Sequence, residues 1–196
     1  MRKLASLVLI LGCGFPAVAM SNSVEVGLKG GVNFTNISIT PRLFDTRPDG
    51  QLAGGGFVAF RAHERVTLGA EFLFTELAVT ADEVGLDARL DARAFVFPIP
   101  VRIDLGPTDR AGIFLSGGVQ WTILGRTTET VNGVETVEEG TRDWDVGLFA
   151  GGGVHVPFRR GALSFEARYV AGLLDLDPDD DVVKVRTLFL LFGYQF

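Results

Sequence analysis

Two histidines, His63 and His155, are the only side chains in the sequence whose ordinary titration falls near neutral pH. A nucleophilic mechanism needs such a base beside a serine or cysteine, itself oriented by a third group. Neither histidine has a spacing that suggests such a partner, so no catalysis is expected. Cys13 is the single cysteine, and it lies in the first twenty residues. Disulfides and cysteine-ligated metals are therefore not expected in the rest of the chain. The run Asp175-Leu176-Asp177-Pro178-Asp179-Asp180-Asp181 alternates carboxylates as a calcium loop does. It lacks the glycine at the sixth position and the glutamate at the twelfth that such a loop needs, and reads as a solvated acidic loop. No pattern for a cofactor or a specific metal appears. The alternating Arg89, Asp91 and Arg93 could line a conduit or close one as paired charges, and the choice depends on the elements that carry them.

Residues 1–19 have the three parts of a secretory signal: Arg2 and Lys3, the apolar run Leu4 to Leu11, and the small residues Ala17-Val18-Ala19. Ile10-Leu11-Gly12-Cys13 also resembles a lipoprotein cleavage site, although Leu11 fits it poorly. Without Arg2 and Lys3 the chain loses two positive charges, and its net charge moves from −6 to −8. Nucleic acid is bound by basic surfaces, so it is excluded as a partner. Residues 20–196 are read as one domain.

The mean hydropathy of +0.29 is high. Beyond residue 20, however, no run approaches the ~18 apolar residues of a spanning helix. The apolar residues alternate instead, which is the mark of a strand with one apolar face. Val24, Val26, Leu28, Val32 and Phe34 oppose Glu25, Lys29 and Asn33; Leu68, Phe72 and Phe74 oppose Thr67 and Glu71. The pattern recurs from Ile113 to Ile123, Trp144 to Val156, Leu163 to Leu173 and Leu188 to Phe196. Gln51 to Ala62 has Phe57 and Phe60 on opposite faces and an uncertain facing. From Leu86 to Ile103 the apolar phase changes, which predicts a β-bulge near Phe95 to Pro98, where Pro98 and Pro100 lack a ladder donor. Short turns are expected at His63-Glu64-Arg65, Gly106 to Arg110 and Pro157 to Gly161. Long connections are expected at Thr40 to Gly50, Thr80 to Gly85, Arg126 to Arg142 and Leu174 to Lys184. Within the third, Asn132-Gly133 predicts a tight hairpin with Val131 and Val134 at its tip.

Eight alternating strands, with short turns at one end and long loops at the other, predict an all-β, eight-stranded antiparallel up-and-down transmembrane β-barrel. A soluble barrel would turn its apolar face inward, but Phe72, Phe74, Trp121, Trp144, Phe165, Tyr169, Phe192, Tyr194 and Phe196 are too bulky together for an eight-stranded interior. The aromatic face therefore meets lipid. Trp121 and Trp144 are expected at the outer rim, and Tyr194 and Phe196 at the inner rim, as aromatic girdles. The lumen is expected to hold an ion-pair network of Glu25, Lys29, Glu71, Arg89, Asp91, Arg93, Arg102, Asp104, Glu166 and Arg168, closed as a plug. His155 is expected as a lumen or rim residue hydrogen-bonded to a neighbour. Both histidines fall beside short turns, at the periplasmic end, opposite the leaflet where lipid A lies.

Phe95-Val96-Phe97-Pro98-Ile99-Pro100-Val101, Phe165-Glu166-Ala167-Arg168-Tyr169 and the closing Phe192-Gly193-Tyr194-Gln195-Phe196 are similar to motifs of the PorT-like outer-membrane β-barrel proteins. Pro100 stands where that family more often has an aliphatic residue. The resemblance implies a bacterial outer-membrane location and a barrel fold, with outer-membrane lipid and lipopolysaccharide around it. A terminal phenylalanine after alternate apolar residues also looks like the signal read by the outer-membrane assembly machinery. The expected role is non-enzymatic, structural or in surface interaction through the external loops with an unidentified protein partner. Help to a periplasmic secretion or surface-attachment system is the alternative the resemblance implies. A small pore is the third reading.

Overall fold

The computed structural model describes residues 24–40, 46–48, 50–83, 86–107, 109–131, 134–137, 144–174 and 182–196. The expected signal in residues 1–19, Cys13 and the acidic run Asp175 to Asp181 lie outside them. Ten strands are present: β1 (Val24–Thr40), β2 (Thr46–Pro48), β3 (Gly50–His63), β4 (Val66–Glu83), β5 (Leu86–Asp104), β6 (Gly112–Val131), β7 (Val134–Val137), β8 (Trp144–Phe158), β9 (Gly161–Gly172) and β10 (Val182–Gln195). Eight of them form a ring in the order β4-β3-β1-β10-β9-β8-β6-β5, and the β4–β5 pairing closes it. All pairings are antiparallel. Closure removes the edges that an open sheet would present to lipid, where unpaired backbone groups are costly.

Within the lipid belt the alternation places its aromatic and aliphatic face outward. Phe72, Trp144 and Phe192 are 43%, 48% and 54% exposed, whereas Glu71, Asp145 and Glu166 are buried. On β5 the outward row runs Phe95, Phe97, Ile99, Val101, Ile103 and on to Leu105. At the strand rise and tilt of a barrel this is about 25 Å of lipid-facing height, the thickness of an outer-membrane apolar band. Above it the outward positions turn polar, with Glu76 opposite Arg93 and Asn36 opposite Arg186. Rings pack along this belt, with Phe72 and Phe97 5.3 Å apart and Phe74 and Phe95 5.4 Å apart. Trp144 opens β8 opposite Ile123. Trp121 lies on the lipid face one rung inside that pair rather than at a strand end, because β6 continues to Val131. Tyr194 and Phe196 meet edge to face at 5.1 Å beside the short-turn end.

Several sequence expectations need correction. The β4–β5 register is constant from Val66↔Ile103 to Glu83↔Leu86, so β5 has no bulge at Phe95 to Pro98. The irregularity lies in β6, where Gly125 and Arg126 together oppose Arg93, between the pairs Ala94↔Leu124 and Ala92↔Thr127. The apparent phase change arises because Ala92, Ala94 and Val96 are apolar and yet face inward, into an apolar part of the lumen. The stretch Thr80 to Gly85 is not a long loop: Glu83 pairs with Leu86, and only residues 84–85 join the two strands. In β3, Phe57 lines the interior and Val58 faces outward, which settles the facing of that segment. The hairpin expected around Asn132-Gly133 has Val131 paired with Val134, although residues 132–133 are not described.

The prolines do interrupt a ladder, on the β4 side. The Asp104 N–H donates to the Arg65 carbonyl at 2.8 Å, so the even-numbered N–H positions of β5 point toward β4. Pro98 and Pro100 have no such hydrogen, and pairing stops after Leu68↔Val101 and resumes at Leu73↔Val96. Among the described residues this is the one break in a ladder inside the lipid belt. Hydrogen exchange in detergent micelles is expected to be faster along this stretch than along the unbroken β1–β10 seam; equal protection on both seams would refute it.

Candidate functional site

The inward positions stack in layers from the short-turn end upward. The first holds Glu25, Arg61, Arg102 and Asp104. Arg61 reaches Glu25 at 2.6 Å and Asp104 at 3.6 Å, and Arg102 meets Asp104 at 2.6 Å. His155 is buried in the same layer, its Nδ1 3.7 Å from Asp104. The Asp104 carboxylate and the Arg110 backbone are the polar neighbours of its ring nitrogens, without the geometry of a full hydrogen bond. The second layer is Lys29, Glu71, Glu166 and Arg168. Arg168 is 1% exposed and donates to Glu71 at 2.9 and 3.1 Å and to Glu166 at 2.9, 3.0 and 3.1 Å. Lys29 bridges both carboxylates at 2.5 and 2.9 Å, and the Ser116 hydroxyl donates to Glu166 at 2.7 Å. Each layer has two cations and two carboxylates. That pairing is what allows charges to be buried in a lumen this narrow.

A third layer is apolar: Leu73, Val96, Phe149, Val170, Phe189 and Leu191 fill the lumen with little or no exposure. Above it Asn33 donates to Thr75 at 2.5 Å, and the Thr35 and Thr187 hydroxyls meet at 3.2 Å. Sequence reasoning missed the lumen cation Arg61 and four inward phenylalanines, Phe57, Phe114, Phe149 and Phe189, of which Phe57, Phe114 and Phe149 share one setting. Each is the cross-strand partner of an inward glycine: Gly27↔Phe57, Phe114↔Gly153 and Gly118↔Phe149. Each ring also lies under a cation, with Lys29 over Phe57 at 5.5 Å, Arg102 over Phe114 at 4.2 Å and Arg168 over Phe149 at 4.4 Å. The glycine leaves room for the ring, and the ring's π face offsets part of the cation's desolvation.

The structure thus brings together Glu25, Lys29, Glu71, Arg102, Asp104, Glu166 and Arg168. It does not bring Arg93 to them. Arg93 faces outward above the belt, 73% exposed in its side chain, and pairs with Glu76 at 3.6 Å. The backbone at Arg89 and Asp91 lies farther up the same strand, and their side chains are outside the described residues. Arg93 was misassigned because above the lipid belt a polar residue no longer signals the inner face.

Strands β4, β5 and β6 continue past the belt for roughly 20 Å. β2 adds to β4 and β7 adds to β6, giving an emergent sheet in the order β2-β4-β5-β6-β7. A closed ring with short turns at one end, a plugged lumen and a sheet rising from the other end is the architecture of a small outer-membrane barrel. The model of the outer membrane protein beta-barrel domain matches residues 16–177. The chain belongs to that family. Its place is therefore the bacterial outer membrane, and the short turns mark the periplasmic end of the family's barrel. A comparison with the curated proteins finds no match by sequence. Among solved structures, Ail, the attachment invasion locus protein of Yersinia pestis in complex with the heparin analogue sucrose octasulfate, is 14% identical, with 89% of this chain and 99% of that chain covered at a TM-score of 0.50. Neisserial surface protein A is 13% identical, covering 90% and 98% at 0.50. OprG from Pseudomonas aeruginosa is 12% identical, covering 89% and 97% at 0.52. At these identities the likeness is one of fold.

Proposed function

We propose that this outer-membrane barrel is a non-conducting, non-enzymatic scaffold that holds a β-sheet at the cell surface for contact with a partner there. The observation that carries this reading is the continuation of β4, β5 and β6 beyond the lipid belt, with β2 and β7 added to them, above a lumen filled by packed side chains. Two ion-pair layers of balanced charge and an apolar layer lying across the lumen support the non-conducting reading, as does the little room that eight strands enclose. The two histidines lie at the periplasmic end, away from the emergent sheet.

The test separates scaffold from surface. Residues 78–91 are replaced by a tight turn, which keeps the Glu76–Arg93 rung and the whole lipid belt. This variant is expected to assemble normally, shown by heat-modifiable mobility on gels, yet to behave as a null mutant in cells. Full rescue of the null phenotype by the shortened protein would sink the surface reading. Planar bilayers carrying the full chain are expected to show no single-channel conductance, and steady openings would restore the pore reading.

A further inference from the structure

The periplasmic half of the lumen contains a cavity of about 100 Å³ between the two ionic layers. That is about the share of three water molecules, enough for a tetrahedral or planar oxyanion. Its walls include Thr67 from β4, Arg102 from β5, His155 from β8 and Arg61 from β3. The charges there are not equally accessible. The side chains of Arg61 and Arg102 are 23% and 22% exposed, whereas those of Glu71 and Glu166 are 3% and that of Asp104 is 0%. Of the carboxylates that line the cavity, Glu71 and Glu166 are held by Arg168 and Lys29, and Glu25, 8% exposed in its side chain, by Arg61; Asp104, outside the lining, takes Arg102 on Oδ1 and has Arg61 3.6 Å from Oδ2. What the cavity presents to an entering molecule is therefore chiefly guanidinium donors. Arg61 also donates to the Glu64 carbonyl at 3.4 Å, in the β3–β4 turn, which puts this guanidinium at the periplasmic mouth. Two buried side chains add to this picture. The Thr67 hydroxyl (residue 4% exposed) lines the cavity with no hydrogen-bond partner among the described residues, and the His155 imidazole (3%) lines it with only the Asp104 carboxylate at 3.7 Å and the Arg110 backbone beside it. Buried polar groups are ordinarily paired, and an unpaired donor beside free volume calls for an acceptor.

We propose that this cavity is a periplasm-facing binding site for a compact oxyanion of the phosphate or carboxylate class. Arg61 and Arg102 supply charge-assisted donors, the Thr67 hydroxyl and an imidazole N–H of His155 supply neutral ones, and Asp104 holds the two arginines side by side. The carboxylates of Asp104 and Glu25 balance the two guanidiniums, so the preference for an anion comes from donor geometry rather than from net charge.

The full chain in maltoside micelles, which contain no phosphorus, is titrated with inorganic phosphate and followed by side-chain and amide NMR. Saturable shifts confined to Thr67, Arg102 and His155 are expected. Arg102→Gln is expected to weaken binding at least about tenfold, while Arg93→Gln, on the outer face, leaves it unchanged. Thr67→Val serves where Arg102→Gln fails to assemble, and is expected to weaken binding severalfold. A second arm in phosphatidylglycerol nanodiscs looks for contacts between lipid phosphorus and the same residues, which would identify the headgroup as the source. No saturable shift in micelles together with no lipid-phosphorus contact in nanodiscs overturns the proposal, as does binding that Arg102→Gln and Thr67→Val leave intact.

Discussion

Arg168→Leu is expected to destabilise the barrel by about 3–5 kcal/mol, because it leaves buried carboxylates without their main partner. Arg168 donates to both Glu71 and Glu166 and is itself 1% exposed. Once it is gone, Lys29 alone faces both carboxylates, at 2.5 and 2.9 Å. One ammonium cannot replace a guanidinium that bonds Glu71 through Nη1 and Nη2 and Glu166 through Nε and Nη2. The Phe149 ring also loses the cation above it. Urea unfolding in micelles measures the loss. The double variant Arg168→Leu/Glu71→Leu removes one charge of each sign and leaves Lys29 with Glu166, and it should recover most of the stability. If the single variant unfolded like the natural protein, the second layer would be no more than a solvated cluster.

Gly153→Val is expected to prevent assembly or to cost at least about 3 kcal/mol, the upper range for overpacking. A Cβ at this inward glycine would press on the Phe165 carbonyl, stand 2.7 Å from the Phe114 ring and 3.0 Å from the Glu166 Cα. Two of those three neighbours are backbone, so rotation of a side chain cannot relieve the contact. Displacing Phe114 would also remove the ring beneath Arg102. Gly30→Ala is the matched control, since a Cβ there meets only the Ala53 carbonyl at 3.7 Å, an ordinary contact. The yield of heat-modifiable barrel from refolding should fall sharply for the first variant and stay level for the second. Equal yields would mean that the inward glycines are not placed for space.

Much of the fold was legible because alternation is local. Val24, Val26 and Leu28 declare a face without reference to any other strand, and the bulk of Phe72, Phe74 and Trp144 assigns that face to lipid. The same rule misled at Arg93 and at the supposed bulge. The rule assumes one apolar and one polar face, and that assumption fails in two places. Above the belt both faces of a strand can be polar, and within the lumen the third layer is apolar, so Ala94 and Val96 point inward. Phe57, Phe114 and Phe149 were passed over because an aromatic residue on the polar face is explained only by the glycine opposite it, and that depends on register.

The sequence by itself determined the number of strands in the ring, the inside-out facing, the end that carries the short turns and most of the lumen charges, though not Arg61. All of these follow from periodicity and turn chemistry within a few residues of the chain. Only the tertiary structure decided which charges meet. Glu71 and Arg168 are 97 residues apart and Lys29 and Glu166 are 137 apart, and they become neighbours through strand stagger and barrel closure, which no local pattern encodes. Pairing in the assembled ring also drew residues of the expected connections Thr40 to Gly50 and Thr80 to Gly85 into the emergent sheet, beside the hairpin that Asn132-Gly133 predicts. The polar strands β4, β5 and β6 continue above the lipid because each finds its hydrogen bonds in the next, and that pairing is a property of the assembled ring.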